Sequence, residues 1–194
     1  LLAAAMVVFA DQGFGRATLQ DVADRAGVTK GALYHYFDSK NQLFIELVRD
    51  QLGGLIAAGA ARVEAADPSL SRRALLEDHL HGMWETMQEP GLLRLTQLIM
   101  TEMPQFPELG REFVREFVAP SRQTMRRILQ RDETTPALSD PEMETLVAVL
   151  PSMVLGVALN QMRFSELDPL PLATDEVGRV VIRTLLDGLA PEAR

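Results

Sequence analysis

Apolar residues recur at three- and four-residue spacing along nearly the whole chain, and no Asn-Gly or Asp-Gly step separates two strand-like runs. The pattern predicts helices throughout. Residues 1–12, "LLAAAMVVFADQ", form an apolar helix that ends near Gly13. Gly13 and Gly15 flank Phe14 in a tight turn; a lone G-x-G of this kind is a turn rather than a phosphate cradle. Thr18 can cap a short helix, with Asp21 three residues on as its carboxylate partner. That helix stops at Gly27, which suits a left-handed position. Thr29 caps a second short helix that reaches about Phe37. Ser39 and Gln42 make an S-x-x-Q capping box and open a long helix through about Ala65. At 1.5 Å per residue that helix spans roughly 40 Å.

Beyond a break at Asp67-Pro68-Ser69, residues 71–88 carry Leu75, Leu76, His79, Leu80, Met83, Trp84 and Met87 at helical spacing, and Pro90-Gly91 ends the run. Residues 92–103 form a short, very apolar helix, and Pro104 and Pro107 bracket Phe106 in a connection. Residues 108–131 are helical with Pro120 inside, where a kink or break is expected. Residues 132–140 read as a loop that closes on Asp140, an N-cap, with Pro141 at the first helical position. That helix runs to about Phe164 with Pro151 inside, a second loop follows, and Thr174 caps a last helix over 175–189 finished by Gly188 and Pro191. The fold class is all-α: an N-terminal three-helix unit and a C-terminal helical domain, about nine helices in total.

Composition narrows the picture. Of 194 residues 47% are hydrophobic, enough for a sizeable core. There are no cysteines, so disulfides, thiol catalysis and cysteine-based zinc sites are excluded, which fits a reducing cytoplasm. No apolar run approaches the ~18 residues of a membrane span. The opening "LLAAAMVVFA" lacks a charged leader and a cleavage site and reads as a helix already in progress, so a preceding segment is expected. The net charge of −8 by itself argues against a nucleic-acid partner. Its distribution matters more: Arg16, Arg25, Lys30, Lys40 and Arg49 nearly balance Asp11, Asp21, Asp24, Asp38, Glu46 and Asp50, so the acidity lies mostly after residue 50.

Two short helices joined by a tight turn, after a packing helix, match a helix-turn-helix. Leu33 and Phe37 give the second short helix one apolar stripe, and Leu19, Val22 and Ala23 offer the matching face. Its other side shows Thr29, Lys30, Gly31, Ala32, Tyr34 and His35, small at the N-terminus and ending in polar aromatics. A recognition helix enters the major groove by its N-terminal end, where small residues permit depth. Gly31 costs about 1 kcal/mol against alanine, which a close backbone approach to DNA would explain. Thr18, Tyr34, Tyr36 and Lys40 supply donors for phosphates, and Lys30 can reach guanine O6 and N7.

The segment 17–48, "ATLQDVADRAGVTKGALYHYFDSKNQLFIELV", resembles the DNA-binding domain of the TetR family of transcriptional regulators. The matching residues are Thr18, Val22-Ala23, Ala26-Gly27-Val28, Lys30-Gly31, Leu33-Tyr34, Tyr36-Phe37, Lys40 and Leu43. The resemblance implies a helix-turn-helix domain over 1–50, and over 51–194 a variable helical domain for ligand binding and dimerisation. It implies a homodimer, expected to be a repressor on a (pseudo)palindromic double-stranded DNA operator and released by a small-molecule effector; the cytoplasm is the expected location, and no enzyme activity, cofactor, metal or membrane partner is expected. By position the family's phosphate contacts fall on Thr18, Tyr34, Tyr36 and Lys40. Its base-reading positions fall on Gln20, Thr29, Lys30, Gly31 and His35, the last a base reader or a mere flank. The family's basic N-terminal arm has no counterpart in this sequence.

After residue 50 the residues themselves carry the reading. Methionines and aromatics suit a promiscuous apolar pocket or an ordinary core. The candidates for ligand contact are His79, Met83, Trp84, Met87, Met100, Met103, Phe113, Phe117, Met153 and Asn160. His79 and His81, two apart, face different sides of a helix and do not share a metal. His79 is a pocket residue or a satisfied core histidine. The last two helices carry broad apolar faces with small Gly156, Ala158 and Gly178, and the family's dimer forms through the corresponding pair. Leu146, Val149, Val154, Val157, Val180, Val181, Thr184 and Leu185 are the candidates there. Two rivals compete. An α-helical enzyme built on His79, His81, Glu77 and Asp78 lacks any nucleophile–base or metal spacing. A scaffold using the helix-turn-helix for protein contacts rests on the charge of −8. Repression is the expected mode of action, and activation is the alternative within the same family.

Overall fold

In a computed structural model of the chain, residues 1–131, 138–164 and 174–189 are described. The described residues form nine continuous helical runs and no strand. The helices are α1 (Leu2–Gln12), α2 (Leu19–Ala26), α3 (Lys30–Tyr36), α4 (Lys40–Val48), α5 (Gly54–Ala65), α6 (Arg72–Met87), α7 (Pro90–Glu102), α8 (Pro107–Phe113), α9 (Ala119–Leu129), α10 (Asp140–Phe164) and α11 (Thr174–Leu189).

Helix starts follow the local chemistry. Thr18 Oγ1 accepts from the Asp21 N–H at 3.2 Å, and the Asp21 carboxylate accepts from the Thr18 N–H at 2.8 Å and from its hydroxyl at 2.7 Å. Those bonds hold the Asp21 carboxyl below the usual carboxylate range. Thr29, Ser39 and Ser71 cap α3, α4 and α6 by accepting from the N–H groups of Ala32, Gln42 and Ala74.

Four starts and stops differ from the sequence reading. Gln42 does not close its box on Ser39; its Oε1 accepts from the Asp38 N–H, one residue earlier, at 2.6 Å. Ser139, not Asp140, caps α10: its N–H and hydroxyl both donate to Glu142, at 2.8 and 2.6 Å. Pro90 and Gly91 open α7 rather than end α6, because proline's fixed φ fits a first turn, where no N–H is needed. Thr174 is the first residue of α11. The 165–173 loop and Pro191 lie outside the described residues, as does most of the 132–140 loop.

Two long runs contain π turns. Residues Arg49–Gly53 separate α4 from α5, and Val114–Val118 separate α8 from α9. The second lies just upstream of Pro120, which has no N–H to return to the carbonyl of Glu116; the widened turn absorbs the expected break. Pro151, by contrast, sits inside an unbroken α10. Over Asp140–Gln161 that helix is long and apolar enough to cross a membrane, its scattered polar residues hiding this from a search for an unbroken run. It nonetheless places Val147, Leu150, Val154 and Ala158 in a protein core.

Compactness does not follow chain order. One unit gathers Leu1–Leu55 with Arg94–Val118; the other gathers Ile56–Leu93 with Ala119–Arg194. In the first, Phe9, Phe14 and Phe44 form a fully buried ring cluster with centroids 5.1–5.8 Å apart, and Phe106 adds a fourth ring 5.0 Å from Phe14. In the second, α6 packs on α9, α10 and α11 around Leu76, Leu80, Trp84, Met125, Leu150 and Ile182.

Gly27 ends α2 at φ +68°, and a Cβ there would meet nothing within 4 Å. The cost of a side chain is therefore backbone strain alone. Gly27→Ala is expected to lower the unfolding free energy by about 1 kcal/mol in a urea titration. A loss several times larger would mean that packing, rather than φ, selects the glycine.

Candidate nucleic-acid interface

The inner faces of α2 and α3 bury Leu19, Val22, Ala23 and Leu33, as the apolar pairing predicts. The outer face of α3 is open over its full length. Thr29, Lys30, Gly31, Ala32, Tyr34, His35 and Tyr36 are all exposed, as are Thr18 and Gln20 at the start of α2. Tyr36 has 66% and Tyr34 46% of its surface free, unusual for large rings. The Lys30 ammonium lies 5.6 Å from the centre of the Tyr34 ring, one helical turn along. His35 meets Tyr36 edge-on at 5.6 Å. Gln20 Nε2 donates one hydrogen bond to Asp24, at 2.7 Å. A Cβ on Gly31 would meet nothing within 4 Å, so no packing inside the chain demands a glycine there.

Lys40 is the exception in this set. Its ammonium donates to three backbone carbonyls of the turn before α2: Phe14 at 2.6 Å, Ala17 at 2.9 Å and Gly15 at 3.1 Å. It also sits 4.6 Å from the centre of the Phe14 ring. An ammonium has three N–H donors, and all are engaged here, so its reading as a free phosphate donor gives way to one as a clamp. Burial lowers its pKa, and the charge of Glu102 opposes that shift. Lys40→Met keeps the stem and strands three carbonyls. It is expected to lower stability by about 1–3 kcal/mol, read from thermal unfolding. A variant with wild-type stability and a shallower salt dependence of DNA binding would restore the phosphate role.

Glu102 and Phe106, absent from the sequence-based candidates, meet the same turn. Glu102 Oε2 accepts from the Gly15 N–H at 3.1 Å, across 87 residues of chain. No spacing signal marks either residue, because the contact exists only once α7 is packed.

The ten candidate ligand residues divide between the two units. Met100, Met103, Phe113 and Phe117 belong to the first; His79, Met83, Trp84, Met87, Met153 and Asn160 belong to the second. Trp84 is buried: it is 2% exposed, and its indole occupies the place a Cβ on Gly178 would take. Met83 and Met87 pack on the same core, while Met153, Asn160 and, in the first unit, Met100 are exposed. Met103 and Phe117 are buried, and the Phe117 ring stacks on Phe113 at 5.5 Å. Val154, Ala158 and Gly178, read as dimer residues, are also buried within the protomer, while Val149 and Gly156 remain exposed. Among the described residues no group of three His, Asp or Glu side chains is placed to hold a metal.

His79 packs against Gly59, and Arg62 lies over Gly82 one turn further. Burial first, then the Arg62 charge, hold the His79 imidazole below its ordinary 6.5, with Asp78 opposing. Well above that value both folded and unfolded chains are neutral here, and the site is silent. As pH falls through 6.5 the unfolded chain protonates first, so stability drops until the folded imidazole protonates in turn. His79→Gln is expected to flatten that acid loss in urea titrations run from about pH 7 to 5. An unchanged slope would remove His79 from the acid response.

An all-helical chain that offers a bare, polar-aromatic helix behind a capped turn is a helix-turn-helix DNA-binding regulator in class. The model for bacterial regulatory proteins of the tetR family matches residues 1–47, and the AefR-like transcriptional repressor C-terminal domain matches residues 74–186. The chain belongs to the tetR family. It is 39% identical over 72 residues to the HTH-type transcriptional repressor KstR2 of Mycolicibacterium smegmatis; the match covers 37% of this chain and only 35% of that relative's length. It is 27% identical over 165 residues to the "Probable acrEF/envCD operon repressor" of Escherichia coli (strain K12), covering 82% of this chain and 73% of the relative. Its fold is similar to that of the regulator FadR from Bacillus subtilis in complex with stearoyl-CoA, with TM-score 0.77, 17% identity and 97% of each chain covered.

Proposed function

We propose that the chain is a repressor that holds a (pseudo)palindromic double-stranded operator as a homodimer and leaves it when a small, largely apolar effector binds. Residues 1–50 are the DNA-binding domain and 51–194 the ligand-binding and dimerisation domain. The supporting observation is the outer face of α3, where seven consecutive residues from Thr29 to His35 contain one buried side chain, Leu33. Thr29, Lys30, Gly31 and His35, with Gln20, read base edges; Thr18, Tyr34 and Tyr36 offer hydroxyls to phosphates. Gly31, uncrowded from inside, lets the duplex come close.

The same reading gives α10 and α11 the dimer contact. Val149 and Met153 are exposed on α10, 40% and 44%, and a partner copy would cover them. The two relatives compared above are repressors by name, and FadR is known in complex with stearoyl-CoA, which favours an apolar effector. Such a regulator works in the cytoplasm, where its operator lies.

Operator binding tests the reading. The wild type is expected to retard a specific duplex with steep salt dependence. Tyr34→Phe and Tyr36→Phe each remove one hydroxyl and are expected to weaken binding by about 1 kcal/mol without altering base preference. Lys30→Ala is expected to cost about 1–3 kcal/mol and to relax the preference at one base pair. A wild type whose DNA affinity is flat with salt would favour the scaffold reading.

A further inference from the structure

The turn over residues 13–17 sets where α2 begins, and most of its polar groups have partners. The Gly13 N–H caps α1 on the Phe9 carbonyl, and the Gly13 carbonyl accepts from the Ala17 N–H at 3.2 Å. Lys40 takes the carbonyls of Phe14, Gly15 and Ala17. The Gly15 N–H goes to Glu102, the last residue of α7. Phe106, just before α8, stacks edge-on against Phe14, and its ring edge is 3.3 Å from where a Cβ on Gly15 would stand. Thr18 follows directly, capping α2 and, under the proposed function, facing phosphate. We propose that Glu102 is a positioning residue for operator binding: by holding the Gly15 N–H it fixes the turn that aims Thr18 and α2.

The reason is mechanical. The Phe14 carbonyl and the Gly15 N–H belong to one peptide plane and point in opposite directions within it. Lys40 holds the carbonyl end. A plane held at one end can still pivot about that bond, and Glu102 supplies the second point by taking the N–H. Gly15 has no side chain to serve as an anchor of its own. Phe106 closes the remaining side by packing rather than by a bond, so it limits displacement without orienting the peptide. Glu102 acts on the turn and not on the face of α3, so its loss leaves the base-reading residues intact and changes how they are presented.

The inference rests on the operator reading, and the experiment separates the two. The probe is the duplex that the wild type selects from a randomised pool. Three quantities are compared in Glu102→Leu, which lacks an acceptor, and Glu102→Gln, which keeps one: Gly15 amide exchange, affinity for the duplex well below the unfolding transition, and unfolding temperature. Glu102→Leu is expected to speed Gly15 exchange and weaken the duplex by about tenfold each, with Glu102→Gln restoring both to within about threefold. Should Glu102→Leu fold poorly, Glu102→Ala, which also lacks an acceptor, takes its place, and Gly15 exchange raised there no more than at the other amides of the unit overturns the inference. Wild-type exchange at Gly15 or wild-type affinity in Glu102→Leu overturns the inference. Failure of the wild type to select any duplex overturns the operator reading instead.

Discussion

One ammonium group holds the helix-turn-helix end of the chain together. A turn between two helices leaves carbonyls that neither helix can satisfy, and Lys40 takes three of them from the first turn of α4. The bonds tie the exit of α1, the entry of α2 and the start of α4 to a single point. The site suits a cation, since the Phe14 ring lies beneath the ammonium and Glu102 offsets part of the cost of burial. Below the clamp the rings of Phe9, Phe14 and Phe44 are fully buried. With the scaffold fixed from beneath, α3 buries a single side chain, Leu33, and its outer surface is left for a partner.

The two π turns show how the long helical runs tolerate local conflict. Val114–Val118 makes room for a proline without ending the run. Arg49, which opens the other π turn, bridges Glu46 on its own run and Glu116 inside the second π turn. Those carboxylates raise the arginine pKa still further, but the side chain is 45% exposed and such pairs contribute little stability. The pair fixes geometry more than energy.

The C-terminal helices illustrate how the same residue types serve a core or a pocket. Trp84 and Gly178 are one packing unit, the indole filling the space that any larger residue would need. Among the described residues its Nε1 is buried without a hydrogen-bond partner, so this core carries a polar cost that a purely apolar one would not. Methionines beside it adapt to the core as readily as they would to a ligand.

Local interactions were legible in the amino-acid sequence itself. Helical periodicity, the Thr18–Asp21 box, the left-handed Gly27 and the exposed face of α3 all depend on residues within four positions of one another, and fixed spacing encodes such contacts. Even there the neighbourhood could move a cap by one residue, as at Ser139. Tertiary packing decided what spacing does not carry. It turned Lys40 from an outward donor into a clamp and set Trp84 against Gly178. It also brought Glu102 to Gly15 and grouped Arg94–Val118 with the N-terminal helices. Each of those outcomes depends on which helix faces come together over tens of residues of intervening chain, and that is settled by the shape and burial of whole faces rather than by any short run of side chains.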